Sequence, residues 1–270
     1  MTAETKIHEL LALEPDTPLI ERQLILAHVL NKTRSWVIAH DLDSVHDVTY
    51  TAYKERLARC KKGEPVAYIL GYKDFWRHRF AVNAATLIPR PETEILVEAA
   101  LAILPNEPNT ILDLGTGSGA IAISLANERP AWYIVANDFS ADALAVAKRN
   151  AKGTKKIAFF QGDWGKAIKP NSVQLIVCNP PYIEPEDEHL AELTFEPSSA
   201  LISPCKGLHD LHKVIKEAHD LLSDGGTLLL EHGYNQQDAL LELLQNNNFN
   251  HIQTYIDLNQ TPRAISAKLI

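Results

Sequence analysis

Cysteine is scarce in this chain and unpatterned: Cys60, Cys178 and Cys205 are widely spaced, odd in number and free of any CxxC pair. Such a set excludes a disulfide framework and a zinc knuckle, and it suits a reducing cytoplasm. Long apolar runs are also missing. No stretch reaches the ~18 residues a membrane-spanning helix needs. The opening Met1–Leu13 carries acidic residues where an export signal would have a basic start and an apolar core, so the protein is expected to stay where it is made. Positive charge is the third shortage. A net charge of -8 disfavours non-specific attraction to a phosphate backbone, which relies on a basic face. What remains is ordinary for a globular protein, 46% hydrophobic and 22% charged, and 270 residues suffice for one large domain and a small one.

One cluster runs against the net charge: Lys54 to Lys62 holds five cations and one anion at the end of an expected helix. Cations in a last turn complement the helix dipole, so the cluster reads as a solvated helix end, with partner binding as the alternative. Helical periodicity over Ile7 to Leu11, Leu19 to Leu30, Trp36 to His40 and Tyr50 to Cys60, stopped by Gly63, predicts a helical domain over residues 1–63. Residues 64–83 turn to short β-prone pieces, Ala67 to Leu70 and Trp76 to Phe80, around Gly71, and predict a hairpin linker. From 84 to 270 helical and strand patterns alternate. Strands are expected at Thr110 to Leu114, Tyr133 to Asn137, Ile157 to Gln161, Val173 to Cys178 and Thr227 to Glu231, with helices between them. Alternation implies an α/β domain with a doubly wound sheet covered on both faces. The last two extended segments, His251 to Leu258 and Ala264 to Ile270, lie close enough in sequence to form an antiparallel pair.

The most informative feature sits directly behind the apolar run Leu175 to Cys178: Asn179-Pro180-Pro181-Tyr182. A side-chain amide, two residues of fixed backbone geometry and an aromatic ring make a rigid cup at a strand's end. Asn179 offers an acceptor oxygen for an NH2 group, and the Pro180 carbonyl offers a second. Such a cup suits a flat molecule bearing a nitrogen, adenine and glutamine alike. Asn179 would reach the cofactor as well.

Three further strand ends describe a nucleoside. Asp113-Leu114-Gly115-Thr116-Gly117-Ser118-Gly119 ends the first strand, its glycines letting backbone approach a ligand with no Cβ in the way. Asp113 would repel a pyrophosphate and suits the cationic amino-acid part of S-adenosylmethionine. Asp138, about twenty residues on, stands where doubly wound nucleotide sites place a ribose-binding carboxylate. Asp163 and Trp164 offer an acceptor for an exocyclic amine and an indole to lie beside adenine. Singly, each has a structural alternative: Asp138 as a helix cap, Asp163 in a turn, Trp164 in the core. Ser118 has Thr116 where a nucleophile elbow needs glycine, which disfavours hydrolase chemistry. His209, His212 and His219 lack a carboxylate-rich ligand set, and no metal site is expected.

Taken together, these motifs resemble the class I S-adenosylmethionine-dependent methyltransferases that modify planar nitrogens. Leu87-Ile88-Pro89-Arg90-Pro91-Glu92-Thr93-Glu94, Phe195-Glu196-Pro197 and Leu230-Glu231-His232-Gly233 resemble more specifically the release factor glutamine methyltransferases. The resemblance implies a Rossmann-like sheet of order 3-2-1-4-5-7-6, the last strand antiparallel, behind a helical front domain and a β-hairpin linker. It implies S-adenosylmethionine as methyl donor and class 1 peptide chain release factors as partners, methylated on the glutamine amide nitrogen of their Gly-Gly-Gln loop. Carried over, Gly115 to Gly119, Asp138 and Trp164 correspond to cofactor contacts, and Asn179 to Tyr182 to the holder of the substrate amide. Two loops depart from the family's pattern: Asn259 to Ala264 lacks a glycine-containing turn, and the second strand ends Asn137-Asp138-Phe139-Ser140.

Asn179, Pro180 and Tyr182 are thus the expected catalytic residues, acting by positioning, with no general base assigned. A nucleic-acid adenine methyltransferase is the closest rival, but the acidic run Glu184 to Glu188 beside the cup would repel phosphates. Another rival enzyme would methylate a ribosomal protein glutamine. A non-catalytic nucleoside-binding module is the rival of a different class. The chain is expected to act as a cytoplasmic monomer with no membrane contact.

Overall fold

The computed structural model describes residues 5–270; Met1–Glu4, the start of the expected helical domain, lie outside the described residues. Contacts divide the chain into two compact units, one ending at Tyr72 and the other spanning Lys73–Ile270.

In the first unit a short antiparallel pair, β1 (Thr5–Lys6) and β2 (Ser44–Val45), accompanies five helices: α1 (Ile7–Leu11), α2 (Leu19–Leu30), α3 (Arg34–Ala39), α4 (Asp47–Lys61) and α5 (Val66–Leu70). Their apolar faces meet in a core of Ile7, Leu10, Ile25, Leu26, Val37, Tyr53, Leu57 and Ile69. Within this unit, the cations at the end of α4 find local partners. Arg59 donates to Glu64 at 2.7 Å, Lys61 to Glu14 at 2.7 Å, and Lys54 lies over the Tyr50 ring. These contacts are those of a solvated helix end.

One expectation is corrected. Ala67 to Leu70 is helical, not extended. Pro65 precedes the helix, and Gly71 closes it at φ +78, its N–H donating to the Ala67 carbonyl at 2.9 Å. Burial of Tyr68 and Ile69 outweighs their β preference. The hairpin follows, β3 (Tyr72–Phe75) against β4 (His78–Ala81), turning at Trp76 and Arg77. Trp76 belongs to the turn, at φ +53, rather than to the expected strand. Its backbone N–H is taken by Glu94 at 2.7 Å and its indole by Glu128 at 2.9 Å.

The second unit is built on alternation. After α6 (Glu94–Ile103) come β5 (Thr110–Leu114), α7 (Ala120–Glu128), β6 (Tyr133–Asp138), α8 (Ala141–Asn150), β7 (Ile157–Gln161) and β8 (Val173–Cys178). Then follow α9 (His209–Leu221), β9 (Leu222–Glu231), α10 (Gln237–Asn246), β10 (Phe249–Ile256) and β11 (Pro262–Leu269). The seven-stranded sheet has the order β7-β6-β5-β8-β9-β11-β10, with β11 antiparallel to both neighbours. Counted from β5, that is the 3-2-1-4-5-7-6 order of a class I methyltransferase sheet.

Period-2 alternation sends successive strand residues to opposite faces. Ile111, Leu175, Val177 and Leu229 pack on one side with α6 and α7, while Leu112, Leu114, Ile176, Cys178, Leu228 and Leu230 pack on the other with α9 and α10. Parallel registry then fixes where chemistry can occur. Leu114 pairs with both Asn137 and Cys178, Asp138 with Gln161, and Cys178 with Leu230, so the loops after β5, β6, β7, β8 and β9 all leave from one edge. Open α/β sheets bind ligands at that edge. At the β10–β11 turn, the Asp257 carboxylate accepts from Asn259 N, Thr261 N and Arg263 Nε while Gln260 takes φ +62. A carboxylate clamp supplies the bend that a glycine would otherwise give.

Candidate active site

The glycine loop after β5 is held largely by backbone. Thr116 N–H donates to the Asn137 carbonyl at 2.8 Å, and Gly119 N–H returns to the Thr116 carbonyl at 2.8 Å before α7 begins. Gly115, Gly117 and Gly119 stand at φ +71, +56 and +83, a region open to glycine and strained for other residues. Asp113 stands behind the loop rather than in the cavity. It is fully buried and accepts the Thr116 hydroxyl at 2.6 Å. Burial pushes its carboxyl up to about 7, against the pull of the Thr116 hydroxyl and the Ala122 peptide. Thr116 and Ser118 are buried too, and Ser118 is fixed through its carbonyl by Asn150 Nδ2 at 2.8 Å.

Asp138 faces the same loop from the end of β6. Its two oxygens accept Gly117 N at 2.8 Å and Ser140 N at 2.9 Å, so one carboxylate ties the glycine loop to the start of α8. Burial raises its pKa, opposed by the peptide N–H groups of Ser140, Gly117 and Phe139. Asp163 is engaged differently, with Lys166 and with Lys213 of α9, the latter at 2.7 Å. These ammonium groups, Lys166 first, hold its carboxyl below the ordinary range. Trp164, at φ +50, presents its ring to Gly115, where an added Cβ would touch it at 3.4 Å. Asn137 sets that position by donating to the Trp164 carbonyl at 2.6 Å, while its own buried Oδ1 has no partner.

The cup after β8 depends on side chains. Asn179 Nδ2 donates to Thr93 Oγ1 at 3.2 Å, in the short 3-10 turn before α6. Tyr182 Oη donates to Glu231 Oε1 at 3.0 Å, at the end of β9. Burial, followed by the Glu231 charge, raises the Tyr182 phenol above its usual pKa. Burial likewise pushes Glu231 up to about 7, with Thr93 and Tyr182 pulling the other way. Gln236 donates to the Tyr182 carbonyl at 3.0 Å, and an added Cβ at Gly207 would come within 2.0 Å of that oxygen. Pro180 is buried beneath the turn.

These strand ends enclose a cavity of about 370 Å³. Gly115, Gly117, Asp138, Asp163, Trp164, Asn179 and Pro181 line it, whereas Asp113, Thr116, Ser118, Gly119, Pro180 and Tyr182 are not among its lining residues. Two segments that sequence reading left without a role form other parts of the wall. These are Ala85–Leu87 and the stretch that supplies Pro197, Ser199 and Ala200. Glu196 joins them by accepting Ile88 N at 2.9 Å and pairing with Arg90. Asn137, Phe139, Asp210 and Lys213 were also missed as lining residues. Asn137 was detectable as a lone amide closing an apolar strand; Lys213 had no local signal on the polar face of α9.

Residues 106–266 match the family model described as a methyltransferase domain, and residues 6–71 match the PrmC N-terminal domain. The chain is 40% identical to the release factor glutamine methyltransferase of Salmonella typhimurium, covering 93% of this chain and 92% of that protein. It is 42% identical to the protein of the same name from Coxiella burnetii, over 98% and 97% of the two chains. Among solved structures, a methyltransferase from Pyrococcus furiosus superposes with a TM-score of 0.54 at 16% identity, covering 80% of this chain and 98% of the other, a likeness of fold.

Proposed function

Since this chain belongs to the release factor glutamine methyltransferase family, we propose that it transfers a methyl group from S-adenosylmethionine to the glutamine amide nitrogen in the Gly-Gly-Gln loop of class 1 peptide chain release factors. The observation that carries this reading is the orientation of Asn179. Its Nδ2 is committed to Thr93 at 3.2 Å, which leaves Oδ1 as the acceptor for an incoming NH2 group. An amide nitrogen is a poor nucleophile because its lone pair is delocalised into the carbonyl. Asn179 Oδ1 and the Pro180 carbonyl would each accept one N–H, holding the nitrogen in line for displacement. Tyr182 would back the cup and exclude water. The proton leaves the nitrogen after transfer, and no side chain is assigned to receive it.

The cavity fits the methyl donor. Its volume of about 370 Å³ lies in the small-molecule range. Gly115 and Gly117 put bare backbone on its wall, Asp138 offers a carboxylate toward ribose hydroxyls, and Trp164 an aromatic face. The bound cofactor supplies an electrophilic methyl and its own leaving group. Asp113, Thr116, Ser118 and Gly119 serve by shaping the loop. The helical front unit gives a surface beyond what the chemistry needs, suited to docking the protein substrate.

The test uses labelled cofactor and a release factor with Gln or Glu in its Gly-Gly-Gln loop, the label being located by mass spectrometry. Label confined to that Gln is expected. Equal labelling of both forms would exclude the target.

A further inference from the structure

We propose that Asn137 and Glu217 are positioning residues for the methyl donor: from opposite ends they clamp the peptide between Trp164 and Gly165, and so hold the Trp164 indole as a preformed wall for the nucleobase. This rests on the reading that the cavity takes the nucleoside of S-adenosylmethionine.

Asn137 is out of place by local measures. Strand register sets it in the row Leu230, Cys178, Leu114, Asn137, Phe160 across the parallel strands, a polar side chain among apolar ones. It is 1% exposed, and its Oδ1 is buried with no partner. Leaving an amide oxygen unpaired in the interior destabilises the fold relative to an apolar side chain of similar size. Packing alone would favour leucine there.

The direction of the hydrogen bonds supplies the reason. Asn137 Nδ2 lies 2.6 Å from the Trp164 carbonyl and 3.3 Å from the Gly162 carbonyl. Carbonyl oxygens only accept, so the NH2 group faces both. These two carbonyls flank Asp163 and Trp164, which line the cavity. Glu217 of α9 accepts the Gly165 N–H at 2.7 Å. The Trp164 carbonyl and the Gly165 N–H belong to one planar peptide, which is thus gripped at both ends. Trp164 needs that grip, because it stands at φ +50, a conformation that bulky residues rarely take. Asp163 is tied separately by Lys166 and Lys213, so the indole is what depends on the clamp. The Asn137 carbonyl meanwhile takes the Thr116 N–H at 2.8 Å, next to Gly115, against which the ring lies. One residue thereby fixes both sides of the contact between ring and glycine loop. Released, the peptide turns and carries the indole off the wall, and the ring has to be ordered again when the cofactor binds, at a cost in affinity.

The experiment measures the dissociation constant of S-adenosylmethionine for the full chain by calorimetry, and kcat on a release factor at saturating cofactor. Asn137→Leu, matched to its row, is expected to weaken cofactor binding about tenfold, the scale of one aromatic stack on a base. Its kcat should hold, since Asn179 keeps its bond to Thr93. Glu217→Ala should weaken binding in the same direction, and Glu217→Gln, which keeps an oxygen for the Gly165 N–H, should restore it. In a Trp164→Ala background no ring remains to be placed, so Asn137→Leu should change affinity by less than about twofold, the scatter of such comparisons. Wild-type affinity in Asn137→Leu, a Gln variant as weak as Ala at position 217, a kcat defect as large as the affinity loss, or a loss that persists in full without the indole would each overturn the proposal. If Asn137→Leu does not fold, the Glu217 pair decides: weaker binding in Ala that Gln restores supports the clamp, and equal affinities overturn it. Trp164→Ala by itself tests the underlying reading. Wild-type affinity there would defeat the placing of the nucleobase beside Trp164, whereas a weakened Trp164→Ala beside an unaffected Asn137→Leu defeats the clamp alone.

Discussion

The glycine loop and the Asn179–Tyr182 cup leave neighbouring strands at the same edge of the sheet, yet they are held by different means. The loop is fastened mainly through peptide groups: Thr116 N to the Asn137 carbonyl, Gly119 N to the Thr116 carbonyl, Gly117 N to Asp138. The cup is fastened through side chains drawn from far along the chain, Thr93 on Asn179, Glu231 on Tyr182 and Gln236 on the Tyr182 carbonyl. Backbone fastening makes a surface whose shape depends on φ and tolerates many neighbouring side chains. Side-chain fastening orients donors and acceptors, which displacement at a weak nucleophile requires, and leaves the result exposed to single substitutions.

Removing the Asn179 acceptor breaks the side-chain end outright. Asn179→Ala should lower kcat by roughly 10²–10³, the usual cost of losing one preorganised polar group in a reaction site. Cofactor affinity should fall far less, because the rest of that end stands on the glycine loop. Steady-state kinetics with calorimetric cofactor titration checks this; losses of equal size would show that the two ends are not separable.

Alanine scanning of the loop breaks the backbone end. Gly117→Ala puts a Cβ in open space at φ +56, and Gly119→Ala puts one at φ +83 only 2.8 Å from Ile123 Cδ1 and 3.3 Å from Ala147 Cβ. Both incur left-handed strain of roughly 1–2 kcal/mol, so cofactor KM should rise about tenfold in each while kcat at saturation holds. Gly119→Ala should also lower the melting temperature further, since α8 cannot retreat as easily as the tip of Ile123. A kcat defect with unchanged cofactor KM would contradict the assignment.

The same contrast governs what could be read from sequence. Residues that carry chemistry and lie next to each other in the chain, Gly115 to Gly119, Asp138, Asn179 to Tyr182, announce themselves because spacing and residue type are local. Their supports do not. Thr93 and Glu231 stand inside segments whose family likeness is plain, but nothing local pairs Thr93 with Asn179 or Glu231 with Tyr182; only the sheet order β5-β8-β9 brings them together. A strand end predicts position and not the direction of a side chain, so Asp113, expected to face the ligand, turns inward and accepts the Thr116 hydroxyl. Ala67 to Leu70 fails for the converse reason, local β preference overruled by burial of Tyr68 and Ile69.

That inward charge gives the loop a pH signature. Asp113 is raised from 3.8 to about 7 by burial, so it binds its proton more tightly folded than unfolded. Its contribution to stability is complete below the unfolded value and is lost as pH rises through about 7. Asp113→Asn keeps an acceptor for Thr116 without the ionisation. Melting temperature between about pH 5 and pH 8 should decline less in the variant, by a few degrees. A steeper decline in the variant would place the titration elsewhere.

The weakest effect is expected where a side-chain contact sits at the backbone-held end. Lys213 pairs with Asp163 across the cavity wall at 2.7 Å, but both are about one-third exposed, at 32% and 37%, and Lys166 also holds the carboxylate. Exposed pairs contribute about 0–1 kcal/mol. Lys213→Met should therefore change cofactor KM by less than about fivefold and leave kcat alone, because the glycine loop and Asp138 keep their geometry without it. The effect should shrink further in high salt, which screens such a pair. A salt-insensitive loss larger than the one at Gly117 would mean that Lys213 orients the cofactor directly, and the nucleotide end would then depend on side chains as much as the cup does.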